Sequence, residues 1–230
     1  MKKTVLMTFA IIVVAVITHA QPNMNETVLV IKASLVQSKV NMKNYSWLET
    51  TKTWINGELK STQQNQCYYS VDGKLIKIVT GNSDQQKTPG GIRGKIIENK
   101  KEELSEYIAK GMDKIKAYLP PDDDKLQKIY DAGKVAIQIL EPGKKFKLSF
   151  SDYLQSGDLL SISLDMTSQK LMALMVNTWI ENPSDKVTFD VTYNTLPDGT
   201  QYAALTELIA TAKNLKIEIE ESGFRKGAGQ

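Results

Sequence analysis

Nucleophilic and metal chemistry draw on imidazole, thiol and convergent carboxylates, and this chain has little of the first two. Its one histidine is His19 and its one cysteine is Cys67. The histidine lies in a stretch that reads as a secretory signal peptide. Lys2 and Lys3 precede an apolar run from Val5 to Ile17, and Thr18-His19-Ala20 offers small residues where a signal peptidase cuts. Cleavage near Ala20–Gln21 removes the imidazole. A mature chain without histidine excludes Ser-His-Asp and Cys-His catalysis, and histidine-ligated zinc or iron. Cys67 alone makes no intrachain disulfide, although an exported compartment permits one. Beside Tyr68 and Tyr69 in a strand pattern it reads as a small buried hydrophobe, with a reactive thiol or an intermolecular bridge as the alternative.

Carboxylates remain for acid/base work. Asp152, Asp158, Asp165 and Asp190 are candidates by type, at turns or on solvated strand faces. Asp122-Asp123-Asp124 lacks the alternation and the distant Glu of a calcium loop, so it reads as the cap of a helix from Lys125 to Ala132. Pro89-Gly90-Gly91-Ile92-Arg93-Gly94 lacks the Lys-Ser/Thr end of a phosphate loop and reads as a connector. No metal and no cofactor are expected. A carboxylate-dependent hydrolase is the third-ranked function, and the expectation is that the protein is not an enzyme.

Export fixes the remaining charge. Loss of two lysines leaves 27 basic against 26 acidic side chains, a net charge of +1. No clustered basic field suits nucleic acid. The apolar core of the leader, about 13 residues, is short of the roughly 20 that span a bilayer. No later stretch reaches that length, so no transmembrane segment is expected in residues 21–230. The compartment is periplasmic or extracellular.

These residues need elements to hold them. Met24 to Val40 reads as a helix with Asn25 at its start. Tyr45–Ile55, Glu58–Val71 and Lys74–Thr80 read as a strand meander over 45–80, turned by Asn56-Gly57 and Asp72-Gly73. Residues 81–93 read as a loop. Ile97, Leu104, Ile108, Met112, Ile115 and Leu119 mark a helix over 94–119, ended by Pro120-Pro121. With the helix that follows, it forms an insertion over 94–132. Short alternating strands then run over 135–222, among them Phe146-Leu148-Phe150 and Val187-Phe189-Val191. Strand runs without β-α-β alternation predict an α+β domain over 21–230: a large curved antiparallel sheet, half-barrel-like, with two central helices on one face and an N-terminal helix.

The segment 171–180 is apolar on both faces. Alternation puts Met172, Leu174 and Val176 on one side, and Leu171, Met175 and Trp179 on the other. These six are the expected apolar lining of a ligand site, because a strand apolar on both faces needs cover on both. A central strand in an ordinary core is the other reading.

Several blocks resemble a known family. Tyr45-Ser46-Trp47, Asp72-Gly73-Lys74-Leu75, Pro120-Pro121-Asp122, Asp152-Tyr153-Leu154 with Gly157-Asp158, and Leu196-Pro197-Asp198-Gly199-Thr200 are similar to those of an uncharacterised family of exported bacterial proteins, over roughly residues 44–226. The order of elements also resembles the periplasmic lipoprotein carriers of the Lol system. That resemblance implies a half-barrel with an apolar cavity for acyl chains. It carries over no binding residue, since Arg93 and Arg225 match no motif. The leading function is therefore binding of a lipid or other apolar or amphipathic ligand in the concave face. An envelope scaffold with a protein partner is the alternative.

Overall fold

A computed structural model describes residues 24–83 and 92–227. The leader reading, and most of the loop expected over 81–93, lie outside the described residues. Helix α1 (Met24–Met42) leads into strands β1 (Tyr45–Ile55), β2 (Glu58–Tyr69) and β3 (Leu75–Ser83). Helices α2 (Ile92–Lys116) and α3 (Asp123–Asp131) follow. Seven further strands complete the chain: β4 (Val135–Glu141), β5 (Lys145–Ser151), β6 (Leu159–Asp165), β7 (Lys170–Trp179), β8 (Lys186–Thr195), β9 (Gln201–Ala210) and β10 (Leu215–Lys226).

All ten strands join one antiparallel sheet in the order β3-β2-β1-β10-β9-β8-β7-β6-β5-β4. The sheet is curved and does not close, so the fold is an α+β half-barrel. Two meanders meet at the β1–β10 seam, where Ile55 pairs with Leu215 and Glu49 with Glu221. Local chemistry explains the joints. Asn56 and Gly57 take positive φ of 54° and 79°, as a two-residue hairpin requires. Asp122 caps α3, its Oδ1 accepting from the Lys125 N–H at 2.8 Å. Helix α2 stops at Lys116, three residues before the expected Leu119. The chain tightens there into turn bonds from Ala117, Tyr118 and Leu119 back to residues 114–116. Asn25 lies one residue inside α1 rather than ahead of it, and β10 runs on to Lys226, four residues past the expected end at 222.

The core sits between the sheet and α2–α3. Ile115 and Tyr118 after it, with Leu126 and Ile129 of α3, pack on Leu148, Phe150, Leu160, Ile162, Val176 and Val187. Phe150, Leu160, Ile162 and Val176 have no exposed surface. A polar knot pins this cover to the sheet. Tyr118 is fully buried; its hydroxyl donates to Asp158 Oδ2 at 2.6 Å and lies 2.7 Å from Thr178 Oγ1. Asp158 also accepts from the N–H groups of Tyr153, Leu154 and Gln155. Every strong acceptor of this buried carboxylate is thus used, which is the condition for a stable buried charge.

Candidate ligand-binding face

The structure does not bring the six expected lining residues together. Leu164 pairs with Leu171 and Ser163 with Ala173, which leaves Met172 unpaired as a β-bulge. The extra residue resets the alternation. Leu171 therefore shares the helix-bearing face with Leu174 and Val176, and all three are buried in the core, at 2%, 3% and 0% exposure. Met175 and Trp179 lie half-buried on the opposite face. Trp179 ends β7, where the Lys114 ammonium of α2 reaches to 5.5 Å from its ring centre and its N–H donates to Ser156 O at 3.4 Å.

The four acids are equally scattered. Asp152 sits in a turn at φ 55°, bonded to the Gly157 N–H and Lys134. Asp165 accepts from Thr167 and Ser168 in the β6–β7 turn. Asp190 lies on the outer face opposite Glu207, where burial, then Glu207, raises its pKa. Asp158 is committed to the knot described above. Cys67 is fully buried, and burial followed by the nearby Glu49 pushes its thiol up to about 11.

The open part of the helix-bearing face lies elsewhere, on β1, β10, β9 and the end of β8. Alternation along β1 gives this face Trp47, Glu49, Thr51, Thr53 and Ile55, and pairing adds Ile217, Ile219 and Glu221 from β10. Ile55, Ile217, Ile219, Thr206 and Tyr193 are only half-buried, although Ile55, Ile217 and Tyr193 adjoin the closed core. An apolar track thus runs along β10 from buried Leu215 through Ile217 and Ile219 to Glu221. At 3.3 Å per residue it spans about 20 Å. A groove of about 770 Å³ beside the Asn56-Gly57 turn lies on the other side of the sheet, between Trp54, Ile209 and Lys216, and is separate from this track.

The near end is polar. Glu49 is 6% exposed; it accepts from Asn65 Nδ2 at 3.1 Å and pairs with Lys77 Nζ at 2.5 Å. Glu221 stands across the seam from it. Burial, then the charge of Glu49, push Glu221 up to about 7, against the opposing pull of Lys77 and Trp47. Tyr69 and Tyr193 are likewise raised, by burial and then by the charge of Glu221. Aromatic rings wall this end: Phe224 stacks on Trp47 at 6.0 Å, Tyr69 lies 5.9 Å from Trp47, and Tyr202 closes on Phe224 at 4.3 Å. Trp47 is 3% exposed, and its indole nitrogen has no hydrogen-bond partner of acceptable geometry. Sequence pattern missed this constellation because its residues are spread over β1, β2, β3 and β10, and only the β1–β10 pairing brings Glu221 to the others.

No family model matches the chain, and no curated protein matches it. Among solved structures it is similar to a DUF1329 family protein from Desulfovibrio piger ATCC 29098, at 7% identity and a TM-score of 0.34, covering 89% of this chain and 94% of that one. It is also similar to a domain from Vibrio parahaemolyticus described as an outer membrane lipoprotein-sorting protein, at 10% identity and a TM-score of 0.34, covering 90% and 95%. Likeness at this level transfers neither a ligand nor an activity.

Proposed function

We propose that this is an exported protein that holds an apolar or amphipathic, lipid-like ligand on the helix-bearing face of β1, β10 and β9. One observation carries the reading: Ile55, Ile217, Ile219 and Tyr193 stay only partly buried on the face that elsewhere forms the closed core. Half-covered apolar surface that adjoins a core and ends in polar groups is the usual make-up of a small-molecule site. Catalysis is not part of the proposal, since Asp152, Asp158 and Asp165 are engaged with backbone N–H groups. The test is organic extraction of the chain, expressed in full so that the leader is processed, followed by mass spectrometry. A stoichiometric amphiphile, reduced when Ile219 is changed to Asp, is the expected result. An empty protein that takes up no fluorescent fatty acid overturns the reading.

A second reading has its own observation. Strands β3 and β4 are the unpaired edges, and Leu75, Ile78 and Val79 on one and Ile139 and Leu140 on the other are exposed. Apolar open edges favour strand addition by a protein partner. Stoichiometric capture of an envelope protein that is lost on Val79→Lys supports a scaffold instead.

A further inference from the structure

We propose that the polar end of this face is a head-group site selective for a cation of the ammonium class that carries an oxygen acceptor beside it. The inference rests on the ligand-binding reading above and names the head that such a ligand bears. Three observations converge on it.

The first is charge. Glu49 already holds Lys77 and Asn65. Glu221 faces Glu49 directly across the seam and forms no ion pair among the described residues. With Glu221 ionised, the cluster of Glu49, Glu221 and Lys77 carries one uncompensated negative charge. A carboxylate or phosphate head without a cation meets repulsion from both glutamates, whereas an ammonium supplies the missing charge. Among the described residues no three His, Cys, Asp or Glu side chains converge as metal ligands do, so an organic cation suits the cluster better than a metal ion.

The second is the wall. Trp47 and Phe224 stack, and Tyr69 sits against Trp47. Aromatic rings beside a carboxylate attract ammonium groups through the negative charge on their faces. The third is the orphaned donor. The Trp47 indole N–H is buried and aimed at Glu221, whose pKa it lowers, but the contact falls short of hydrogen-bond geometry. Buried donors are rarely left so. An ester, ether or hydroxyl oxygen one or two bonds from the cation supplies the acceptor. Access is from the side of Lys77, whose side chain is 44% exposed, and of half-buried Glu221. The apolar tail then runs along Ile219 and Ile217.

The groups that face Glu221 are Glu49 of β1, Cys67 and Tyr69 of β2, Lys77 of β3 and Tyr193 of β8. With Glu221 titrating at about 7 and Cys67 at about 11, the cluster gains its negative charge between pH 6 and 8 through Glu221.

The experiment compares three probes of one chain length on the purified full chain by calorimetry: lauroylcholine, dodecanol and dodecanoate. Lauroylcholine is expected to bind about tenfold tighter than dodecanol at pH 8, with dodecanoate weakest. Its own charge does not titrate, so its affinity is expected to rise severalfold from pH 6 to pH 8, and Glu221→Gln is expected to abolish both the rise and the preference. Equal affinities for the three heads, or a preference for dodecanoate, overturn this inference while leaving the ligand-binding reading intact. Failure of all three to bind overturns both.

Discussion

The two halves of the sheet are built alike and finished differently. In β5 to β8, Phe150, Leu160, Ile162 and Val176 are sealed under α2 and α3. In β1 and β10, residues on the same face are Thr51, Thr53, Ile55, Ile217 and Ile219, all half-buried, and the face ends in Glu49 and Glu221. Strand alternation is equally regular in both. What differs is the partner above: one half meets helices that bring Ile115, Tyr118, Leu126 and Ile129, whereas the other keeps threonines and glutamates that a closed core would reject. A half-barrel can thus hold its fold with one side and keep the other for a ligand.

The sharpest way to break that comparison is to cut the same kind of atoms from each half. Leu160→Ala removes a fully buried side chain and is expected to cost about 3–4 kcal/mol in denaturant unfolding. Ile219→Ala, half-exposed, is expected to cost about 1 kcal/mol, because little cavity is left behind. Equal losses would mean that β10 is as closed as β6.

Next in size is the pH dependence that Glu221 brings to the open half. Glu221 is held at about 7, above its ordinary 4.5, chiefly by burial and then by Glu49. The folded state keeps this proton where the unfolded chain has already lost it. Stability is therefore fully present below about pH 4.5 and declines as pH rises toward 7, then levels. With allowance for solvent screening of a half-buried group, the loss is about 2 kcal/mol. Glu221→Gln is expected to flatten the slope between pH 5 and 8 in thermal melts. A slope unchanged by that variant would place the titrating group elsewhere.

The closed half has a polar test of its own. Tyr118→Phe keeps the ring under the sheet but withdraws the hydroxyl from Asp158 and Thr178. Asp158 keeps its three backbone donors, so the expected cost is about 1 kcal/mol.

Much of the fold was legible in short-range signals. Asn56-Gly57, the Asp122 cap and the alternation of Phe146-Leu148-Phe150 are local, and each gave the element found. The curved antiparallel sheet followed from strand runs without β-α-β alternation, and the half-barrel from the resemblance in element order. The binding face was not legible, for two physical reasons. A bulge is a property of pairing: nothing in Lys170–Trp179 itself says that Met172 drops out of register and that Leu171 turns inward with Leu174. Glu49, Asn65 and Lys77 are joined by the β1–β2–β3 hairpins, but Glu221 lies on the last strand, and only the β1–β10 seam makes it their neighbour. Pattern reading saw a twice-apolar strand and placed the ligand there, whereas the helices had already taken that surface.

The smallest expected effect lies on the outer face of the open half. Lys216 bridges Glu207 at 2.6 Å and Glu218 at 3.3 Å, and Glu218 also meets Lys52 at 3.3 Å. This chain of charges crosses β9, β10 and β1 directly behind the apolar track. If the inner face of the seam is open because it serves a ligand, the outer chain is only a solvated surface. Its ion pairs are then screened, and Lys216→Ala should change stability by no more than about 0.5 kcal/mol, with the difference gone in 1 M salt. Lys216 also covers the Trp54 ring, 5.3 Å from its centre, so Lys216→Met keeps that contact and isolates the charge. A larger, salt-resistant loss in Lys216→Met would mean that the seam is held from behind, by charge, and that the inner face is free to stay half-covered for that structural reason alone.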